Sequence, residues 1–167
     1  MGPEEDEPAA DEGANDRMAA AEALYRLITA AVRQQPRDIS LTSASTLATL
    51  ERTGPRRITD LAVVERITQP AMTSLVTALE RSGLAERRAD PRDQRVVLVA
   101  LTAAGADYLR FRRRASAEEF ARLIDKLPPA DAAALLAATP ALRQLHELDE
   151  QLAVGDPGRV PAPGPLG

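Results

Sequence analysis

The feature that most constrains the fold is a single change in the spacing of apolar residues. From Met18 to Gly83, apolar residues recur every three or four positions, which is the period of an amphipathic helix. From Val96 to Leu101 the run is β-branched and alternating, and helical spacing resumes after Thr102. The sequence therefore predicts a mainly α-helical chain that contains one two-stranded β-hairpin.

Composition limits both the core and the chemistry. The 167 residues are 44% apolar but only 2% aromatic, so the core has to be built from Leu, Val, Ile and Ala. The absence of cysteine excludes disulfides, thiolate metal sites and cysteine nucleophiles. A single histidine, His146, argues against a histidine-rich metal site or a His-based triad within one chain. With no paired carboxylates and no glycine-rich phosphate loop, we expect no metal, no cofactor and no enzymatic activity.

Charge is distributed unevenly along the chain, whose net charge is −4. Residues 1–16 hold seven acids and no base, whereas residues 52–95 hold nine arginines against six acids. An acidic start therefore masks a basic middle, and this asymmetry indicates an anionic partner better than the total charge does. The apolar runs are too short for a membrane span and the acidic start is no signal peptide, so we expect a cytoplasmic protein without a membrane partner.

The predicted organisation is one helical domain, residues 16–156, between a disordered acidic tail (1–15) and a flexible Pro/Gly tail (157–167). The expected helices cover about residues 17–36, 43–52, 56–68, 68–82 and 103–152, the last interrupted at Pro128–Pro129 and at Pro140. The expected helix caps are Thr42 or Ser43, Thr59 and Thr68. Strands are expected at 84–88 and 96–101. Residues 43–101 then form a winged helix-turn-helix.

The fourth helix carries an uncharged polar face opposite its apolar face of Met72, Leu75, Val76 and Leu79. That polar face consists of Gln69, Pro70, Thr73, Ser74 and Thr77. Gln can read adenine in the major groove, and Thr or Pro can pack on a thymine methyl group. The alternative is an ordinary solvent-exposed face that happens to carry no charge.

The hairpin is unusually rich in arginine. Arg92 stands at its tip, flanked by Arg87, Arg88 and Arg95, which suits a minor groove and its phosphates. Asp90 and Asp93 would turn the loop and hold arginines by short salt bridges. The alternative is a solvated charge cluster. Four residues near the starts of the third and fourth helices complete the DNA-binding candidates: Arg56, Arg57, Thr59 and Thr68.

The segment "ITDLAVVERITQPAMTSLVTALERSGLAERRADPRDQRVVLVALTAAG", residues 58–105, resembles the MarR family of winged helix-turn-helix transcriptional regulators. The resemblance rests on the "LERSGL" end of the recognition helix, the wing "DPRDQR" and "VALTAAG" opening the next helix. It implies a homodimer on a pseudopalindromic operator, and usually a repressor released by a small aromatic or phenolic effector. Carried over by residue, it places Gln69, Pro70, Thr73 and Ser74 in the major groove. It places Arg92 or Arg95 in the minor groove, and we assign Arg92 to the groove and Arg95 to a salt bridge with Asp93.

The flanking helices carry apolar stripes that a winged domain of about 60 residues is too small to cover. The stripes consist of Met18, Leu24, Tyr25 and Ile28 in the first helix and of Leu135, Leu136, Leu142, Leu145, Leu148 and Leu152 in the last. We expect helices 17–36 and 103–152 to dimerise, the alternative being that they pack together within one chain. Tyr25, Arg26 and Tyr108 are candidates for an effector cleft, although Tyr25 also fits an ordinary core or interface position. The alternative function is a winged-helix protein-interaction module that does not read DNA.

Overall fold

The computed structural model describes residues 8–34 and 38–155, and this part of the chain is mainly helical with one two-stranded antiparallel sheet, as predicted. The elements in chain order are α1 (Pro8–Gln34), α2 (Leu41–Thr53), α3 (Ile58–Val64), α4 (Gln69–Arg81), β1 (Ala85–Ala89), β2 (Val97–Leu101), α5 (Ala103–Ile124), α6 (Pro129–Ala137) and α7 (Thr139–Gly155). The order of a helix, a helix-turn-helix and a hairpin over α2 to β2 is that of a winged helix. No helix within these two ranges combines the length and the apolar character needed to cross a membrane.

Helix α1 belongs to a unit that ends at Ser40, and a second unit begins at Leu41. The helix starts at Pro8, so residues 8–15 are helical where their composition predicts disorder. Proline is tolerated in a first helical turn and alanine is the best helix former. Residues 1–7 and the predicted tail at 157–167 lie outside the described ranges.

The core of the second unit lies where α2, α3 and α4 meet the hairpin. Its largest fully buried side chains are Leu47, Leu50, Leu61, Met72, Leu79, Val76, Val99 and Thr46. The predicted apolar face of α4 is thus confirmed for Met72, Val76 and Leu79, while Leu75 is only half-buried. The core is aliphatic, as the low aromatic content requires.

The hairpin, residues 85–101, is called the wing below. Its strands pair with Ala85 opposite Leu101 and Arg87 opposite Val99, so β1 lies one residue later than predicted. The backbone of Arg56 joins the same sheet. Its N–H donates to the Val99 carbonyl at 3.0 Å, and its carbonyl accepts the Val99 N–H at 2.8 Å. The base of the wing is therefore anchored to the segment just before α3.

Helix starts differ from the prediction in two places. Helix α2 begins at Leu41, so Thr42 and Ser43 lie in its first turn and do not cap it. Helix α3 begins at Ile58 and its N-cap is Arg57; Thr59 is already helical and its hydroxyl donates to Asp60 Oδ1 at 3.3 Å. A cap needs extended backbone, which Thr59 lacks.

The start of α4 is confirmed, because the Thr68 hydroxyl accepts the N–H of Ala71 at 3.4 Å. Arg66, which lies between α3 and α4 and two residues before Thr68, has an unusual backbone conformation. Its φ of 54° falls in the left-handed region. At the other end of α4, Gly83 has a φ of 73° and stops the helix as predicted.

The junction between α4 and α5 is close-packed. The Thr102 hydroxyl caps α5 by accepting Gly105 N–H at 3.0 Å, and it donates to the Gly83 carbonyl at 2.6 Å. The Thr102 N–H also donates to the Leu84 carbonyl at 3.2 Å. A Cβ at Gly105 would lie 2.1 Å from that same Leu84 oxygen, so the position requires glycine.

The C-terminal helices break where proline predicted a break. Helix α6 ends at Ala137 and α7 starts at Thr139, which puts Pro140 in the first turn of α7, where proline is tolerated. The predicted stripes on both ends of the chain are exposed within this single chain: Tyr25 and Ile28 are 71% and 61% exposed, and Leu136 and Leu145 are 62% and 53% exposed.

Candidate nucleic-acid interface

The N-terminal half of α4 presents the polar face that the sequence predicts. The four residues assigned to the major groove, Gln69, Pro70, Thr73 and Ser74, are all exposed. The hydroxyls of Thr73 and Ser74 donate to the backbone carbonyls four residues earlier, at 2.9 and 3.1 Å. Their protons are therefore in use, and each oxygen keeps a lone pair that can accept from a base amino group.

Thr77 does not share that open face. It is half-buried, its hydroxyl donates to the Thr73 carbonyl at 2.9 Å, and it accepts from Arg87 Nη2 at 3.3 Å. Both of its hydrogen bonds lie within the protein, so Thr77 links α4 to the wing. A helical wheel cannot separate this residue from Thr73, because the difference comes from the position of β1.

The two aspartates of the wing shape its loop through the backbone. Asp90 Oδ1 accepts the N–H of Arg92 at 2.8 Å, and Asp93 Oδ1 accepts the N–H of Arg95 at 3.0 Å. Each carboxylate is turned toward the N–H two residues on, as in an Asx turn. The predicted salt bridge between Arg95 and Asp93 is therefore wrong, whereas their predicted role in turning the loop is confirmed.

The arginines of the wing keep exposed guanidinium groups. Within residues 8–34 and 38–155, no ion pair is formed by Arg88, Arg92 or Arg95, all of which are exposed. By contrast, the exposed arginines of α5 pair with acids, for example Arg113 with Glu51 and Arg114 with Glu118. The wing thus presents three exposed guanidinium groups without ion pairs, beside the polar face of α4.

The remaining candidates lie at the start of α3 and α4. Arg56 and Arg57 are exposed, and Arg56 Nε donates to the Thr53 hydroxyl at 3.1 Å. Thr59 and Thr68 are exposed as well, in the first turn of α3 and at the cap of α4. Because Arg56 also joins the sheet of the wing, these residues form one continuous surface with it.

The candidates for effector binding fall on two helices. On α1, Tyr25 is exposed and Arg26 forms an exposed ion pair with Glu22 at 3.6 Å. On α5, the Tyr108 hydroxyl accepts from Arg112 Nη1 at 2.7 Å, and the Arg112 guanidinium lies 5.6 Å from the centre of the Tyr108 ring. Arg112 is buried, which sequence patterns gave no reason to expect of an arginine in a run of three.

A bidentate ion pair between α2 and α5 was also not predicted. Arg113 Nη1 and Nη2 donate to the two carboxylate oxygens of Glu51 at 2.6 and 3.0 Å. The hydrogen bonds from Arg113 lower the pKa of Glu51 below its usual value. The partners are 62 residues apart in sequence, so no local spacing could have indicated the pair.

Comparison with known proteins shows which family this chain resembles. The sequence profile of the MarR family matches residues 39–97, which contain α2 to α4, β1 and the loop of the wing. Over this segment the chain is similar to the MarR family. Two relatives named HTH-type transcriptional regulators, from Mycobacterium leprae and Mycobacterium tuberculosis, are 36% and 35% identical over 48% and 53% of this chain. The matched segments span 56% and 62% of those relatives' lengths.

Three solved structures share the fold over most of this chain. RV1404 from Mycobacterium tuberculosis is 25% identical, with a TM-score of 0.56 over 85% of this chain and 97% of its own. The transcriptional regulator Tm0710 from Thermotoga maritima is 19% identical, with a TM-score of 0.68 over 82% of this chain and 98% of its own. A mutant of MepR from S. aureus, solved bound to an oligodeoxyribonucleotide, has a TM-score of 0.55 at 22% identity over 82% of this chain and 97% of its own.

Proposed function

We propose that this chain is a sequence-specific DNA-binding transcriptional regulator of the MarR family. The observation that carries the proposal is the cluster of exposed arginines without ion pairs (Arg88, Arg92 and Arg95) next to an exposed, acid-free face of α4. Exposed guanidinium groups that are free to contact phosphate, on a chain of net charge −4, suit the recognition of a polyanion. The names of the relatives and the oligonucleotide bound to MepR support the same function.

In the proposed complex, α4 enters the major groove and the wing reaches the minor groove. Gln69 reads base edges, while Thr73 and Ser74 accept from base amino groups or pack on thymine methyl groups. Arg92 enters the minor groove, with Arg88 and Arg95 on the flanking phosphates. Arg56, Arg57, Thr59 and Thr68 contact phosphates beside the N-terminus of α4, whose free N–H groups favour an anion.

The test is the variant Arg92→Ala, measured by fluorescence anisotropy on the duplex upstream of the protein's own gene across a salt series. We expect binding more than about tenfold weaker and a salt slope that falls by up to roughly 0.9, because one positive charge is lost from the DNA-facing surface. The matched control is Arg114→Ala, which removes the same charge from an exposed arginine paired with Glu118 on α5. Unchanged binding by Arg92→Ala, or equal losses in both variants, would contradict the assigned role of Arg92.

The proposed active form is a homodimer on a pseudopalindromic site. The exposed leucines of α6 and α7 and the apolar residues of α1 form faces too large for a stable monomer in water. Two-fold symmetry then places two winged domains on half-sites one helical turn apart. We expect Leu145→Glu to shift the protein toward monomers in sedimentation velocity, whereas Gln144→Glu, on the adjacent exposed position, leaves the dimer intact. A dimer that survives both substitutions contradicts this interface.

We further propose that the regulator is a repressor released by a small aromatic or phenolic effector. The Tyr108 ring and the Arg112 guanidinium offer a flat apolar surface and a positive charge side by side on α5. The same anisotropy assay, with aromatic carboxylates added to the preformed complex, tests the release: dissociation that Tyr108→Ala suppresses supports it, and no dissociation at any concentration contradicts it.

A protein-interaction module that does not read DNA is the second candidate function. The net charge of −4 and the exposed apolar residues of α5 to α7 favour it. Absence of binding to any duplex even at low salt, together with a heteromeric partner held by α5 to α7, would favour this function over DNA binding.

A further inference from the structure

We propose that the ion pair between Glu80 of α4 and Arg87 of β1 sets the position of the wing relative to the recognition helix, and so controls DNA affinity without touching DNA. The inference rests on the proposed function, because the two elements that it joins are the two proposed to enter the grooves.

Glu80 and Arg87 join α4 to β1 through several hydrogen bonds. Glu80 Oε1 accepts the backbone N–H of Arg87 at 3.1 Å, and Glu80 Oε2 accepts from the Arg87 guanidinium. The other terminal nitrogen, Nη2, donates to the Thr77 hydroxyl at 3.3 Å. One carboxylate thus holds both the backbone and the side chain of β1 against the last turns of α4. We call these three residues the α4–β1 clamp.

The clamp is more enclosed than the pairs of Arg113 with Glu51 and of Arg114 with Glu118. The side chains of Arg87 and Glu80 are 30% and 25% exposed, against 82% and 56% for Arg114 and Glu118. Partial removal from water strengthens an ion pair that is also hydrogen-bonded, whereas fully exposed pairs contribute little. The clamp is therefore a candidate for the contact that fixes β1 relative to α4.

The position of the clamp connects it to both DNA-reading elements. On α4, Thr77 lies one turn after Thr73, so the clamp begins where the open face of the helix ends. On β1, Arg87 precedes Arg88, whose side chain points to the opposite side of the sheet, and the strand leads directly into the loop that carries Arg92. Freeing Arg87 from Glu80 would let the wing move relative to α4, and ordering it again on DNA would cost affinity.

Electrostatics and positioning predict opposite outcomes for the same substitution. Glu80 is the one acid within α4, and its removal leaves the DNA-facing surface more positive. If charge alone matters, Glu80→Gln therefore binds DNA more tightly. If the clamp matters, Glu80→Gln binds more weakly, by about tenfold, which is the loss of one charge-assisted hydrogen bond.

The salt dependence separates Arg87 from its neighbour. We expect Arg87→Met to weaken binding with an unchanged salt slope, since Arg87 faces Glu80 and not phosphate. The matched control Arg88→Met should reduce the slope by roughly 0.9, because Arg88 is the proposed phosphate contact. A reduced slope for Arg87→Met would overturn the proposal, since it would mean that Arg87 itself contacts DNA.

The experiment is a double-mutant cycle in DNA affinity, with wild type, Glu80→Gln, Arg87→Met and the double variant measured by anisotropy. Urea unfolding of each variant shows that it is folded under the binding conditions. We expect the double variant to bind no more weakly than either single variant, because both remove the same contact. Additive losses, or tighter binding by Glu80→Gln, would overturn the clamp. Failure of the wild type to bind any duplex would instead overturn the proposed function.

Discussion

The substitution Gly105→Ala should destabilise the protein although helix propensity predicts the reverse. Gly105 is in the first turn of α5, where alanine would ordinarily stabilise the helix by up to about 1 kcal/mol. The added Cβ, however, would lie 2.1 Å from the Leu84 carbonyl oxygen and 2.7 Å from Leu101 Cδ1. Real Cβ contacts stay above 3.0 Å, so α5 has to move away from the end of α4.

The magnitude follows from what that movement breaks. The Leu84 carbonyl also accepts the Thr102 N–H at 3.2 Å, and the Thr102 hydroxyl donates to the Gly83 carbonyl at 2.6 Å. Overpacking costs roughly 1–3 kcal/mol and each strained hydrogen bond about 1 kcal/mol, against a gain of about 1 kcal/mol in propensity. We expect a net loss of about 2 kcal/mol in the free energy of unfolding.

The assay is equilibrium unfolding in urea at one fixed protein concentration, since association would otherwise contribute to the midpoint. The matched control is Gly13→Ala in α1, where the nearest atom to the new Cβ is Arg17 Nη1 at 3.5 Å, an ordinary contact. That variant should lose no stability. Equal or higher stability for Gly105→Ala would refute the argument that the α4–α5 junction is closed to a side chain.

Two further predictions concern backbone strain and pH. Arg66→Gly should raise the free energy of unfolding by about 1 kcal/mol, because a φ of 54° costs an L-residue about that much and glycine almost nothing; a lower urea midpoint would contradict it. For the Glu51–Arg113 pair, the folded-state pKa of Glu51 is below 4.5, so its contribution is present above that pH and is lost as the pH falls through the folded value. The stability difference between wild type and Glu51→Gln should therefore shrink in acid, and a difference that grows in acid would show that the pair does not act this way.

Much of the fold could be predicted because it depends on local patterns. Features that depend on the geometry of a single helix can be predicted from the sequence. In α4 these are the apolar spacing of Met72, Val76 and Leu79, the cap at Thr68 and the stop at Gly83. The start of α1 was missed because composition alone does not distinguish an acidic alanine-rich helix from an acidic disordered tail. The start of α3 was missed because Arg57 caps it without a side-chain hydrogen bond, which leaves no sequence signal.

The site was predicted in its surface residues and missed in its internal contacts. Exposure of Arg92 and Arg95 follows from their place in a turn. Strand alternation could have shown that Arg87 and Arg88 point to opposite sides, but only the packing of β1 on α4 shows that Arg87 meets Glu80. The error about Arg95 and Asp93 has a similar origin, since charge suggests a salt bridge and the short turn gives the carboxylate a nearer N–H.

The adjacent arginines of β1 have a consequence for how the wing keeps its alignment. A slip of one residue in the pairing with β2 would bring Arg88 against Glu80 and turn Arg87 outward, and the charges would match as well as before. The ion pair therefore cannot specify the register. The register is instead specified by Ala85 and Glu86. The same slip would replace Ala85, which is buried and 3% exposed, with the carboxylate of Glu86. A substitution at Ala85 would thus displace the tip of the wing by shifting the register of β1, without altering any residue at the tip.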